Sequence, residues 1–284
     1  MSFDYFDDDD ELEDGDETQW VILDLDEKWF GVSIERVREL IMAPEIVELP
    51  DTPPFVLGLI KLRESTIPVI DLRKRLGMKS MDETYHELID TLKARKQDHM
   101  NWIAELKLSV KENREFTKQT DPSKCEFGMW YDCFKTDDLV LGSLLKKFDA
   151  PHRAIHGIAV KVKRLREEGK AGQAETLIKD TENRDLKTMV NLFDAVIEEL
   201  SHNRRQVILV ADFDGFVCGM MVDRIESVLA LSPDEIGPPP QVSTMKTSKK
   251  VVGVARPKST DRMILLLDLQ QIVDSEEIEI LTEI

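Results

Sequence analysis

The chain has 284 residues, a formal charge of -18 at pH 7, 42% apolar side chains, five histidines and three cysteines. That length suggests about two ordinary domains, each able to bury a core, and the negative balance excludes the phosphate-neutralising surface of a nucleic-acid binder. No run approaches the roughly 20 apolar residues of a bilayer span. The start of the chain lacks a basic region and a signal-type apolar core, and an odd number of cysteines argues against a disulfide framework. A cytoplasmic protein with reduced thiols and no membrane insertion is expected.

Residues 1–17 carry ten acidic and no basic side chains, which leaves about -8 for everything else. The run Asp7 to Glu11 has almost no apolar content and reads as a disordered, solvated tail. Strand patterns follow. Trp20 to Leu25 and Trp29 to Ile34 flank the short polar stretch Asp26-Glu-Lys, and Val56-Leu-Gly-Leu-Ile and Val69-Ile-Asp-Leu continue the β pattern.

The middle of the chain changes period. Tyr85, Leu88, Leu92, His99, Trp102, Leu106 and Val110 recur at alternating three- and four-residue spacing, which predicts a long helix with His99 on its core face. Leu139, Leu144, Leu145 and Phe148 form a short stripe with Asp137 or Asp138 as a cap. Ile155, Ile158, Ala159, Val162 and Leu165 form another, and Leu186, Met189, Val190, Phe193, Val196, Ile197 and Leu200 a long final one. Loops are expected at Thr117 to Lys124 and Glu168 to Gly172. About four helices with short connections favour an antiparallel bundle.

Strand patterns return after the helices. Val207 to Ala211 and Phe216 to Val222 flank a turn containing Asp214-Gly215, a strong hairpin signal. The flanks also resemble each other: Gly31-Val-Ser-Ile-Glu-Arg-Val reappears as Gly219-Met-Met-Val-Asp-Arg-Ile, Val56-Leu-Gly-Leu-Ile as Val251-Val-Gly-Val-Ala, and Val69-Ile-Asp-Leu as Leu266-Leu-Asp-Leu. They read as two halves of one domain, and short strands with frequent turns in each half favour two small barrels over a parallel sheet. The helices are then an insert, giving residues 1–17 as tail, 18–81 and 204–284 as the two halves, and 82–203 as the insert. The run Pro238 to Pro240 reads as a rigid spacer inside the second half.

His99, Cys125, His152 and His156 all fall in the helical segment. His152 and His156 are four residues apart, so on a helix both imidazoles leave one face and can share an ion. A lone His-x-x-x-His is common by chance, and a single core histidine is more often a hydrogen-bonded neutral ring than a ligand. Together with a core-facing His99 and the compact string Cys-Glu-Phe-Gly-Met-Trp at Cys125, the set reads as a His3Cys zinc site. Four protein ligands leave no open position for water, which points to a structural or sensory metal. Arg153, Ala154 and Ile155 lie between the two histidines and offer no general base, so no enzyme is expected. Cys133 and Cys218 fall outside the set and are expected as buried small hydrophobes. Trp102 and Trp130 are expected as core aromatics beside the metal.

These residues resemble the chemoreceptor zinc-binding (CZB) domain, whose pattern is a histidine, an aromatic three residues on, Cys-x-apolar-Gly-x-aromatic, and His-x-x-x-His. Here it is filled by His99 with Trp102, Cys125 with Phe127, Gly128 and Trp130, and His152 with His156. The resemblance implies a four-helix bundle that holds Zn2+ through three imidazoles and one thiolate. The flanking halves resemble the CheW-like chemotaxis coupling domain, through Leu49-Pro, Val56-Leu-Gly-Leu-Ile-Lys-Leu-Arg63, Pro68-Val-Ile-Asp-Leu-Arg and Leu76-Gly, then Val222-Asp-Arg-Ile-Glu-Ser-Val and Leu265-Leu-Leu-Asp-Leu. That likeness implies a multidomain α and β protein: a double five-stranded, SH3-like β-barrel domain interrupted by the helical insert. It implies no active site, and partners in the cytoplasmic tip of a chemoreceptor and the regulatory domain of the CheA histidine kinase, with recruitment to membrane-associated receptor arrays. Arg63 falls on the family's receptor-contacting arginine. Glu64 stands where the family usually has glycine, and a left-handed turn there would strain glutamate.

Joined, the two resemblances imply a coupling protein whose zinc insert senses oxidant, zinc or pH, with Cys125 as the switch. The alternative is an adaptor with purely structural zinc whose insert docks another protein. A homodimer through the helical bundle is compatible with either.

Overall fold

The computed structural model describes residues 17–136, 138–202, 206–239 and 250–273. The acidic tail before Glu17, Asp137, Asn203 and Pro240 lie outside them. The chain divides into two compact units, Met1–Met81 with Arg205–Ile284, and Asp82–Arg204.

In the first unit, β1 (Thr18–Leu25) and β2 (Lys28–Ser33) form a hairpin whose turn residues Asp26 and Glu27 both have positive φ. That is the twist a two-residue hairpin turn needs. β3 (Val37–Met42), β4 (Val56–Leu62), β5 (Ser65–Asp71) and the short helix α1 (Leu72–Arg75) complete the first half. The second half supplies β6 (Val207–Phe213), β7 (Phe216–Val222), β8 (Arg224–Leu231), β9 (Ile236–Gly237), β10 (Val251–Ala255) and β11 (Ile264–Leu267). The β6–β7 turn is Asp214-Gly215, as its sequence indicates.

The two halves do not each make a sheet. One six-stranded sheet has the order β8-β1-β2-β11-β10-β9 and one five-stranded sheet the order β3-β6-β7-β5-β4, so each draws strands from both halves. The repeated segments hold matching places. Gly31 lies in β2, which pairs with β1 and in parallel with β11, and Gly219 in β7, which pairs with β6 and in parallel with β5. The two expected small β units are present as sheets of six and five strands, each completed by strands of the other half, because local patterning fixes strands but not which distant strand completes the ladder.

Apolar alternation places one core inside each sheet, Ile60, Ile67, Val69, Ile208 and Met221 in one and Ile22, Leu231, Ala255 and Ile264 in the other. A third core joins the sheets through Leu23, Phe30, Ile70, Leu209 and Met220. Arg73 of α1, with only 9% of its side chain exposed, pairs with Asp223 after β7 and so ties the halves by charge.

The second unit is helical. α2 (Met81–Lys111) runs 31 residues and buries Leu92, His99, Trp102, Leu106 and Val110 of the expected stripe together with Ile89 and Ile103, while Tyr85 and Leu88 are only half-buried. α3 (Glu126–Cys133), α4 (Leu139–Lys146) and α5 (Asp149–Glu167) follow. α6 (Ala171–Thr181) passes through a π turn, Glu182–Leu186, into α7 (Lys187–His202). α3 and α6 are additional to the four helices read from periodicity. α3 is only eight residues long, too short to display two turns of pattern. Asp138 caps α4 by accepting from the Val140 and Leu141 amides. Leu139, expected in the core, is 88% exposed and Leu141 is buried instead, while Leu145 and Phe148 are buried as expected. Cys218 is buried in β7, but Cys133 is exposed at the end of α3, which corrects the expectation for that residue.

Candidate metal centre

Three elements bring four donors to one point. His99 comes from the buried face of α2, Cys125 from the N-cap of α3, and His152 and His156 from adjacent turns of α5. One donor atom from each lies within 4.8 Å of every other, and Cys125 Sγ is 3.2 Å from His152 Nε2. A tetrahedral zinc with bonds of about 2.0–2.3 Å separates its ligand atoms by roughly 3.3–3.7 Å. The four donors are therefore spaced as such an ion requires, to within about an ångström of adjustment.

The local sequence explains why they point inward. His99 Nδ1 donates to the Arg95 carbonyl at 2.8 Å, which fixes the tautomer and leaves the Nε2 lone pair facing the cluster. Cys125 caps α3 by accepting the Gly128 amide at Sγ, 3.2 Å away. Gly128 is needed for this, because a Cβ there would meet the Pro122 carbonyl oxygen at 1.9 Å. Pro122 opens the 3-10 turn Pro122–Lys124, itself capped by Asp121, so turn and helix pack directly and set the position of the thiol. Phe127, 1% exposed, meets His152 edge-on at 5.0 Å and His99 at 5.7 Å. Trp102 stands 5.0 Å from His156 and donates its indole N–H to the Gln119 carbonyl at 2.7 Å. Trp102 is buried, while Trp130 is only half-buried against Phe127 and Phe134.

Three nitrogens of this pocket are not satisfied by protein. His99 Nε2 and both ring nitrogens of His156 are buried without a hydrogen-bond partner, although these residues are only 4% and 1% exposed. The Gln119 carbonyl lies beside His156 without reaching hydrogen-bonding geometry to either nitrogen. Orphaned buried nitrogens are costly, and a cation meeting their lone pairs removes the cost. Burial, and then the neighbouring imidazoles, push His152 down to about 3 and His156 to about 4, and burial also lowers His99. The three rings are thus neutral at pH 7 with lone pairs free to ligate. Burial raises the Cys125 thiol above its ordinary value, against the Gly128 and Phe127 amides and the Arg95 charge that lower it. A cation at the cluster supplies the countercharge a thiolate needs. A cleft of about 350 Å³ opens onto the cluster, walled by His99, Cys125 and His156.

The four predicted donors converge, and Arg63 sits apart from them in the first unit. Arg63 lies in the β4–β5 turn, 79% exposed, 3.2 Å from Glu39 of β3. β3 and β4 are the two edges of the five-stranded sheet, so this contact means the sheet curls until its edges approach. Arg63 itself takes the left-handed conformation, φ 57°, and Glu64 does not. The strain expected at Glu64 therefore falls one residue earlier. Pattern reading did not find the supporting Arg95 carbonyl. Its signal, a histidine bonding the carbonyl four residues back, recurs at the exposed His86 and His202 and so does not discriminate.

Comparison with known proteins places both units. The family model of the CheW-like domain matches residues 19–95 and 185–277, well over half of the chain, and that of the chemoreceptor zinc-binding domain matches 99–163. A probable chemotaxis protein CheW of Rhizobium etli is 38% identical over 68 residues, 24% of this chain and 44% of the relative. The chemotaxis protein CheW of Klebsiella aerogenes is 26% identical over 85 residues, 30% of this chain and 50% of the relative. The chain thus spans half or less of the length of these curated relatives. Among solved structures, the scaffolding protein TtCheW of Thermoanaerobacter tengcongensis aligns with a TM-score of 0.44 and 18% identity, covering 92% of this chain and 96% of its own. No helix of the described residues is long and apolar enough to cross a membrane.

Proposed function

We propose that this chain, which belongs to the CheW-like domain family, is a chemotaxis coupling scaffold that links the cytoplasmic tips of chemoreceptors to the CheA histidine kinase, and that its helical unit holds one zinc ion. His99, Cys125, His152 and His156 are the ligands, and Arg63 is a receptor contact. Domain limits of 18–81 with 204–284 for the coupling domain and 82–203 for the insert fit this reading. So does a place in membrane-associated receptor arrays.

The observation that carries the zinc reading is the convergence of four donors, with His99 Nε2 and both His156 nitrogens buried without a protein partner. Three imidazoles and one thiol form a soft donor set suited to zinc, and four protein ligands make a closed site. Bound zinc would hold Cys125 as a thiolate. The cleft beside that sulfur favours a sensory role over a purely structural one, because small oxidants and chelators have a path to it. A hypohalous acid would transfer its oxygen to Sγ, giving the sulfenic acid and releasing halide. Cys125 then ceases to be an anionic donor, and the hydrogen bond from the Gly128 amide that caps α3 weakens. The bundle repacks around Phe127 and His152, and the change reaches the coupling domain as a shift in population. Zinc availability and acid act on the same four donors.

Metal analysis of the full chain tests the site: one equivalent of zinc is expected, falling below about a tenth in Cys125→Ser and His152→Ala. Capture of receptor fragment and CheA regulatory domain by the same samples tests the scaffold, with loss of capture in neither metal variant. Kinase output in reconstituted arrays separates the two roles of the metal. Output that changes when hypochlorous acid releases zinc supports sensing. Zinc that survives oxidant and mild acid, with flat output, leaves it structural.

A further inference from the structure

The helical unit holds a second cavity, of about 660 Å³, which none of the four clustered donors lines. That volume lies within the range of small-molecule sites. Leu106 of α2, Ala159 and Val162 of α5, and Phe116 of the loop after α2 give it an apolar wall. Lys118, Lys163 and Arg166 also line it. Arg166 is half-buried, and its hydrogen bonds go to neutral oxygens, the Arg114 carbonyl at 2.7 Å and Asn113 Oδ1 at 3.0 Å. Among the described residues none of the three cations has a carboxylate within ion-pair distance, including Glu115 and Glu167, which are exposed at the same cavity. A half-buried guanidinium facing apolar surface without a countercharge is a ready receptor for a planar anion.

The cavity adjoins the metal cluster without sharing its donors. Lys118 lines both the cavity and the cleft, and Phe116 rests edge-on against Trp102 at 4.9 Å, on the loop whose Gln119 carbonyl holds that indole.

We propose that this cavity binds a small organic anion with an apolar body and a carboxylate or sulfonate head. The body lies against Leu106, Phe116 and Val162, and the head meets Arg166 and Lys163.

Titration of the full chain with the fluorescent dye anilinonaphthalene sulfonate tests this, with octanoate as competitor and the uncharged dye phenylnaphthylamine as control. The expected result is one saturable site per chain that octanoate empties, with the uncharged dye at least about tenfold weaker. Lys163→Glu, and Val160→Trp at the exposed rim, each weaken dye binding by about tenfold or more. Leu139→Glu, which removes the most exposed apolar side chain of α4, leaves it unchanged. The proposal is overturned by absence of saturable binding, by equal binding of the uncharged dye, by indifference to Lys163→Glu, or by loss of the signal in Leu139→Glu. If circular dichroism shows that Lys163→Glu has lost helix, Lys163→Gln, which removes the charge without reversing it, decides the matter by the same criterion.

Discussion

The two units bury polar groups on opposite terms. In the β unit each buried charge has a partner supplied by the chain: Arg73 meets Asp223 and Asp26, Asp24 accepts from the Glu27 amide and faces Arg224, and Asp71 caps α1 through the Lys74 amide. In the helical unit His99 and His156 bring nitrogens into a core of Phe127, Phe148 and Phe193 and leave them without one. The charges buried in the β unit are paired by its own residues, although the Trp29 indole nitrogen there has no partner, whereas the buried imidazole nitrogens of the helical unit form a cluster without one.

Acid sharpens this contrast most. In chelator-treated protein the folded-state pKa values of the three imidazoles lie below 6.5, with His152 at about 3 and His156 at about 4. The unfolded chain therefore binds protons that the fold refuses, and helical-unit stability is full above 6.5 and drains away as pH falls toward those values. Burial raises Asp24 and Asp71 instead, so their contribution to the β unit is full below the ordinary carboxylate value and lost as pH rises through the raised ones. Amide hydrogen exchange read by peptide should show the helices of residues 82–202 losing protection between about pH 6.5 and 4 while β1, β2 and β7 keep theirs. Parallel loss in both units would erase the distinction.

Much of the candidate site was legible in the sequence because its donors sit on strong periodic signals. His99 lies on a seven-member stripe, and His152 and His156 are one helical turn apart. Cys125 lies on no such stripe and was read from the compact string it opens, since its position depends on a contact between Gly128 and Pro122 that no periodicity encodes. The strands and their turns were readable from alternation and from Asp214-Gly215. Their partners were not, because the pairing of β2 with β11 and of β3 with β6 joins residues far apart in sequence. Leu139 misled for a local reason: it is the first residue after the Asp138 cap, and the buried face of that helix starts two residues later.

Breaking a compensated charge should damage the β unit alone. Arg73→Ala removes the cation beside Asp223, which keeps the Asp26 amide as a donor, and is expected to lower the stability of that unit by about 3 kcal/mol, with zinc content unchanged. Chemical denaturation followed by the same exchange readout checks it, and a shift below about 1 kcal/mol would mean that solvent, not Arg73, satisfies Asp223.

Two glycines of the helical unit offer a finer comparison. Gly128→Ala drives a methyl into the Pro122 carbonyl and should weaken zinc binding about tenfold, the lower end of the effect of losing outer-shell support. At Gly157 an added methyl would enter open space, with no atom within 4 Å. Gly157→Ala should therefore leave zinc binding unchanged and stabilise α5 by up to about 1 kcal/mol. Competition with a chromophoric chelator measures both. The smallest stability effect belongs to Arg63→Ala, within about 0.5 kcal/mol for so exposed a side chain. If Arg63 contacts receptor, the same variant should still lose receptor-fragment binding in a titration that leaves kinase-domain binding intact.

X-ray absorption at the zinc edge of the full chain tests the metal centre most directly. One sulfur at about 2.3 Å and three nitrogens at about 2.0–2.1 Å are expected, with the sulfur shell absent in Cys125→Ser. A chain that retains no zinc, or whose zinc shows no sulfur neighbour and ignores the Cys125 substitution, would contradict it.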